Sequence, residues 1–153
     1  MQQMDIGKAR SVREGEDVVI LNFGTLLNQA IIAANELNIA VVDMRWVKPM
    51  DEALILAMAK QYALLVTLEE NAVAGGAGSA VNELLAAAST QTATLNLGLP
   101  DSFVEHGTHA DQLSWTGLNS DNITLQIRDA MQTHDITSAP TVNLHGRAEA
   151  PHR

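Results

Sequence analysis

The sequence predicts an α/β domain of three layers (α/β/α), in which helices cover both faces of a mostly parallel five-stranded sheet. Four short apolar runs, each typical of a strand buried on both faces, alternate with segments whose apolar residues recur at helical spacing. The runs are residues 18–23, 39–44, 64–68 and 94–97. Alternation of this kind indicates crossover connections, which make successive strands parallel and place helices on both faces.

The remaining strand and the helix boundaries follow from shorter signals. Residues 8–13 alternate weakly and predict a short antiparallel edge strand that its charges protect from further pairing. Thr25, Asp51 and Ser120 are predicted to cap three of the helices, because their side-chain oxygens can accept hydrogen bonds from free amides. Asn38 predicts a left-handed end to the first helix.

The last third of the chain lacks the alternation of strand and helix patterns. Residues 99–107 show no period and predict an extended loop, and Thr108 followed by Asp111 predicts a capping box at the start of a short helix. After a final amphipathic helix, residues 133–153 contain two of the four prolines and no sustained pattern. We therefore predict a domain over residues 1–132 and a flexible C-terminal tail over residues 133–153.

Composition excludes several classes of function. The chain has 153 residues, of which 46% are hydrophobic and 18% charged, as in a globular domain. A formal net charge of -9 argues against nucleic acid as a partner, because phosphate backbones are bound mainly by Lys and Arg. The absence of cysteine excludes a disulfide framework, a thiolate zinc site and a cysteine nucleophile. No apolar run approaches the ~20 residues of a membrane span, so we expect a soluble, cytoplasmic protein.

The stretch over residues 67–81 is a strand-to-helix turn, and such turns gather ligands and partner surfaces in α/β sheets. It contains two adjacent carboxylates, Glu69 and Glu70, whose side chains point to opposite faces if the strand extends through them. They are then unable to line one pocket together. We expect one of them to cap local backbone amides and the other to lie in solvent or in an interface.

Two groups of residues at predicted strand ends are candidates for an interface or an anion site. Aromatic and arginine side chains are enriched in the centres of interfaces, whereas glycines at a helix start allow tight turning or anion binding. The glycines lack the spacing of a phosphate-binding loop and of a dinucleotide fingerprint, which favours the interface. The candidates are Arg45, Trp46, Lys48, Glu70, Asn71, Gly75, Gly76 and Gly78.

The sequence offers no catalytic constellation. Ser79 has no nucleophile elbow around it, and His106 and His109 have no carboxylate beside them at the spacing of a metal site. We therefore predict no catalytic, cofactor-binding or metal-binding residue in this chain.

Four markers in the sequence resemble those of one enzyme family. They are residues 20–25, residues 42–51, residues 68–71 together with 75–79, and residues 98–101 followed by Phe103, His106 and Gly107. At these residues the chain resembles the C-terminal domain of 1-deoxy-D-xylulose-5-phosphate synthase, a thiamine-diphosphate enzyme of the transketolase superfamily. The third marker is similar across transketolases and the β-subunits of 2-oxo acid dehydrogenases, so the other three carry the specificity.

The resemblance implies a transketolase C-terminal-like fold and a part in the synthase reaction. That reaction joins the two-carbon unit of pyruvate, after loss of CO2, to D-glyceraldehyde 3-phosphate, for isoprenoid and thiamine biosynthesis. In the family, thiamine diphosphate and Mg²⁺ are held by the preceding domains, through a Gly-Asp-Gly motif that this chain lacks. The resemblance thus implies a structural, dimer-supporting domain that is inactive alone and has no cofactor of its own.

The implied partners are the N-terminal and middle domains of the same polypeptide, within a homodimeric enzyme. Two alternatives stay open at this point. One is a regulatory module that binds a phosphate or another anion at residues 75–78. The other is the corresponding domain of a transketolase or of a 2-oxo acid dehydrogenase β-subunit.

Overall fold

A single five-stranded sheet forms the centre of the protein in the computed structural model, which describes residues 4–137. The strands are β1 (Arg10–Arg13), β2 (Val18–Phe23), β3 (Ala40–Asp43), β4 (Leu64–Ala72) and β5 (Ala93–Leu99). The helices in the same part of the chain are α1 (Leu27–Leu37), α2 (Glu52–Gln61), α3 (Ala77–Ala87), α4 (His109–Trp115) and α5 (Ser120–Thr133).

The strand order is β1-β3-β2-β4-β5, and all neighbouring pairs are parallel except β1 with β3. The predicted fold, including the antiparallel edge strand, is therefore confirmed. Strands β2, β3, β4 and β5 all end at the same side of the sheet, which we call the carboxyl edge. Because β1 runs the other way, its first residue, Arg10, lies opposite Asp43 at this same edge.

Alternation along β2 explains the three layers. Val18 and Ile20 pack with helices α1 and α5 on one face, while Val19 and Leu21 pack with α2 and α3 on the other. All four side chains are fully buried. Burial on both faces accounts for the nearly continuous apolar run in the sequence, because neither face of the strand meets water.

Three of the predicted helix boundaries are confirmed. Asn38 ends α1 in the left-handed conformation, with φ of 57°. The Asp51 carboxylate accepts a hydrogen bond from the Leu54 amide and caps α2. Thr108 and Asp111 form the reciprocal bonds of a capping box at the start of α4.

Two predicted caps are wrong, because other partners satisfy the side chains or amides concerned. The Thr25 hydroxyl does not cap α1, which starts after Leu26 without a side-chain cap; it donates to the Glu70 carboxylate instead. At α5, Asn119 rather than Ser120 is the cap, and its Oδ1 accepts from the Asn122 amide at 2.9 Å.

Strands β4 and β5 are longer than the apolar runs that predict them. Their pairing continues past a register shift to Ala72 opposite Leu99, so β4 includes both Glu69 and Glu70. Within residues 4–137, no helix has the length and apolarity needed to cross a membrane. The predicted boundary at residue 132 stays a prediction: α5 ends at Thr133, and residues 138–153 of the predicted tail lie outside the described residues.

Candidate functional site

The buried side chain of Glu69 caps the N-terminus of helix α3. Its side chain lies in the last buried part of β4, with 3% of the residue exposed. Oε2 accepts a hydrogen bond from the Ala77 amide at 2.7 Å, and Oε1 accepts one from the Gly78 amide at 2.8 Å. The first amides of a helix lack partners within the helix and carry a partial positive charge, so a carboxylate is stabilised there. This confirms the expectation that one carboxylate caps local amides.

Two of the turn glycines are required by close packing. A Cβ atom at Gly76 would overlap the Glu69 carboxylate and the Ala72 carbonyl oxygen. A Cβ atom at Gly78 would overlap the side chains of Thr67 and Asn96, which hydrogen-bond to each other. The glycines thus let helix α3 approach the sheet closely enough to receive the Glu69 carboxylate.

Glu70 points to the other face and connects three segments of the carboxyl edge. Its Oε1 lies 2.6 Å from Nε2 of His109, the first residue of α4, and its Oε2 accepts from the Thr25 hydroxyl. The hydrogen bond from Thr25, and the bond and charge of His109, lower the pKa of Glu70, while its partial burial opposes the shift. The two glutamates therefore have different hydrogen-bond partners, as the strand alternation predicts. The expectation that they are unable to line one pocket together is wrong, because both line the cleft described below, where the strand ends and the turn begins.

The segment after β3 provides the cationic and aromatic candidates. Arg45 has a left-handed backbone, with φ of 59°, and its Nε lies 3.5 Å from Oδ2 of Asp43. Trp46 is half-buried, and its indole Nε1 is enclosed with no acceptor among residues 4–137. Lys48 is exposed. An enclosed donor without a partner is unfavourable, so Trp46 stabilises this segment less than its half-buried position alone would suggest.

A cleft of about 550 Å³ lies between this segment and the start of α3. It brings together six of the eight candidate residues and leaves out Trp46 and Gly78. Those that line it are Arg45, Lys48, Glu70, Asn71, Gly75 and Gly76. Phe23 and Val47 give its wall an apolar part.

The electrostatics of the cleft give no support to an anion site. Its two cationic side chains are matched by the carboxylates of Glu69 and Glu70. The amides of Ala77 and Gly78 are taken by Glu69, and the Gly75 amide donates to the Ser79 hydroxyl at 2.9 Å. A phosphate would have to displace an internal carboxylate to use the start of α3.

For the same reason, the described residues do not fit a thiamine diphosphate and Mg²⁺ site. Across residues 4–137 there is no group of three His, Cys, Asp or Glu side chains arranged to hold a metal ion. The helix start that could bind a diphosphate already holds Glu69. We derive no chemical step through that cofactor from this chain.

Sequence reasoning missed several residues at this edge. Thr25 and His109 are 45 and 39 residues from Glu70, and no local pattern indicates such contacts. Phe103 and Trp115 were not among the candidates, although both are exposed. The available signal was the capping box at Thr108, which fixes where α4 starts and so places His109 at its first turn.

Residues 7–123 match the family model "Transketolase, C-terminal domain". This chain belongs to that family. Its curated relatives include proteins named 1-deoxy-D-xylulose-5-phosphate synthase, and the resemblance stated from the sequence markers is thereby confirmed. The one from Saccharophagus degradans is 49% identical over 134 residues, and the one from Aeromonas hydrophila is 51% identical over 132 residues.

These matches cover 88% and 86% of this chain but 21% of each relative. The chain thus spans about a fifth of the length of the synthases, as a domain of a larger enzyme does. Among solved structures, "Split gene transketolase, inactive beta4 tetramer" superposes with a TM-score of 0.78 at 30% identity. That match covers 86% of this chain and 44% of the transketolase chain.

Proposed function

We propose that this chain acts as the structural, dimer-supporting C-terminal domain of a 1-deoxy-D-xylulose-5-phosphate synthase. The whole enzyme condenses pyruvate with D-glyceraldehyde 3-phosphate and releases CO2, in the route to isoprenoids and thiamine. The observation that carries the proposal is the identity of about half of the residues with the named synthases over most of the chain. The domain supplies scaffold and contact surface, and the reacting groups come from the rest of the polypeptide.

The geometry of the carboxyl edge supports a role in docking. The edge presents Arg45 and Lys48 beside Glu70 and Asn71, around a cleft whose charges are balanced. Balanced charges beside the apolar wall formed by Phe23 and Val47 suit a protein surface better than a small anion, because interfaces combine apolar centres with paired polar rims. We infer that this surface faces the middle or N-terminal domain.

The cofactor, assembly and location follow from the same proposal. Thiamine diphosphate with Mg²⁺ belongs to the whole enzyme and supplies the stabilised carbanion there. The whole enzyme is a cytoplasmic homodimer, and this domain binds neither nucleic acid nor membrane, in keeping with its net charge of -9.

A domain exchange tests the proposal. In the chimera, this chain replaces the matching residues of the Saccharophagus degradans synthase, with which it is 49% identical. We expect the chimera to form product from pyruvate and D-glyceraldehyde 3-phosphate in the presence of Mg²⁺ and thiamine diphosphate. The chain alone is expected to form none under the same conditions.

Two controls make the outcome interpretable. The unaltered synthase sets the full rate, and the same synthase truncated before this domain shows how much the domain contributes. A chimera that folds and dimerises but forms no product would contradict the proposal. Product formed by the chain alone would contradict the scaffold role.

A further inference from the structure

An apolar patch with no assigned role lies beside the cleft, on the loop after β5 and on helix α4. We call it the Phe103 patch; it consists of Pro100, Phe103, Val104, Trp115 and Thr116, which together with Ser102 and Glu105 surround a groove of about 310 Å³. Phe103 is 105% exposed and Trp115 is 59% exposed. Large apolar side chains grouped in this way are typical of contact surfaces, because their exposure to water is unfavourable and a partner that covers them removes that cost.

The Trp115 side of the patch is held in shape, whereas the Phe103 side chain is fully exposed. A Cβ atom at Gly107 would come within 2.8 Å of the Trp115 ring, so this glycine lets the ring lie against the loop. The Gln112 side chain donates to the Glu105 carbonyl at 3.2 Å and fastens the loop to α4. The wall formed by Trp115 and the loop is thus fixed before contact, which reduces the entropy cost of binding.

The patch is continuous with the proposed docking surface. Glu70 lines the cleft, and its contact with His109 joins the cleft to the first turn of α4. Trp115 lies at the other end of the same helix. A partner that covers the cleft would therefore reach the patch along α4.

The position of β1 indicates which partner this is. Since β1 is antiparallel to β3, the residues that precede it lie at the carboxyl edge, where Lys8 contacts Asp51. This chain is a C-terminal domain and spans 21% of its synthase relatives, so their other domains precede it. The preceding polypeptide must therefore join the domain at the edge that carries the cleft and the patch.

The width of the edge fits one interdomain interface. Strands β1 and β5 lie at opposite ends of the sheet, four strand spacings or about 19 Å apart. Interfaces between domains of one chain bury about 600–1,500 Å². An interface of this size is wide enough for one partner to cover both the cleft and the patch.

We propose that the Phe103 patch is the docking surface for the preceding domain of the same polypeptide, with Phe103 inserted into an apolar pocket of that domain. This inference rests on the proposed function and extends it to residues that the sequence markers do not assign to an interface. Phe103 is the anchor, and Trp115 forms the wall beside it.

Hydroxyl-radical footprinting compares the patch in the active chimera and in the chain alone. We expect Phe103 and Trp115 to be oxidised at least about fivefold more slowly in the chimera, because the centre of an interface excludes water. Leu125, which is 53% exposed on α5, is the matched control and is expected to react equally in both. Equal oxidation of Phe103 in both proteins would overturn the inference.

A substitution gives a second, independent measurement. In the chimera, Phe103→Ser is expected to produce a separate, earlier thermal transition for this domain, whereas the control Leu125→Ser leaves one transition. The inference would be overturned, and the proposed function would stand, if the chimera is active, keeps a single thermal transition after Phe103→Ser, and without that substitution has Phe103 oxidised as fast as in the chain alone. Protection of Phe103 that rises with the concentration of the chain alone would assign the patch to a second copy, which also overturns it.

Discussion

The glycine turn before α3 and the loop after β5 lie at the same edge of the sheet, yet they differ in what their polar and apolar groups contact. In the turn, the amides of Ala77 and Gly78 are satisfied by Glu69, which is almost fully buried. In the loop, Phe103 has no cover among residues 4–137. The turn has the glycines and free helix start that suit a ligand but is closed by Glu69, whereas the loop has a family marker but no ligand motif and exposes Phe103 to a partner.

The difference predicts that substitutions in the turn change the stability of the chain alone, while substitutions in the loop change its association. Hydrogen bonds and packing that are complete within one domain stabilise that domain. Apolar groups that face water contribute only when a partner covers them.

The largest expected effect is that of Glu69→Ala. It leaves two amides at the start of α3 without their acceptor and opens a space beneath the helix. We expect a loss of about 3 kcal/mol in the free energy of unfolding, measured by urea denaturation of the chain. Glu83→Ala, at an exposed position on α3, is the control and should change it by less than about 0.5 kcal/mol. A small loss at Glu69 would mean that the turn is not held by this carboxylate.

The next effect is that of Gly78→Ala, whose new methyl group would overlap Thr67 and Asn96. Overpacking of this kind costs about 1–3 kcal/mol of stability. Removing the obstructing amide should relieve it, so the double variant Gly78→Ala with Asn96→Ala is expected to lose less than the sum of the two single variants. Simple additivity in a denaturation cycle would argue against close packing of α3 on the sheet.

A smaller effect is expected from Glu70, whose pKa is lowered mainly by the hydrogen bond from Thr25. A carboxyl group with a lowered pKa in the folded state stabilises the protein above its ordinary pKa, and this stabilisation is lost as pH falls through the folded-state value. The contribution of such a partly exposed group is below about 1 kcal/mol.

The matched variant is Glu70→Gln, which cannot titrate. The wild-type chain should lose its advantage over Glu70→Gln as the solution is acidified below the ordinary pKa of 4.5. Chemical denaturation at a series of pH values measures the difference. A constant difference across the acid range would show that the contact with Thr25 does not persist in solution.

The smallest effect on the chain alone is expected from Phe103→Ser. The side chain is fully exposed, so the free energy of unfolding should change by no more than about 0.5 kcal/mol. The same substitution is expected to have a clear effect in the chimera. A large loss of stability in the chain alone would show that Phe103 packs within the domain, and would remove the contrast between loop and turn.

The fold was predictable from the sequence because burial on both faces leaves a continuous apolar run, as in β2. Helix boundaries such as Asn38 at the end of α1 and Asp51 at the start of α2 were predictable because their capping contacts lie within a few residues. The environment of Glu70 was only partly predictable. Strand alternation indicates that it points away from Glu69, but its partners Thr25 and His109 come from distant segments.

The patch could not be found from sequence pattern because the loop after β5 has no period. An aromatic residue in such a loop is equally compatible with a buried and an exposed position, and only the packing of the loop decides. Thr25 is a second case in which contacts between distant segments overrule the local sequence pattern. Its hydroxyl is well placed by sequence to cap α1, but it donates its hydrogen bond to a carboxylate that the sheet brings close.

Asp51 has a consequence for movement between this domain and any polypeptide ahead of it. Its buried carboxylate caps α2, accepts a hydrogen bond from the Ala9 amide at 3.2 Å and lies 3.4 Å from Nζ of Lys8. The incoming strand is thereby clamped just before it enters the sheet. We therefore expect a change in the angle between this domain and the preceding polypeptide to occur upstream of Lys8 rather than within the strand.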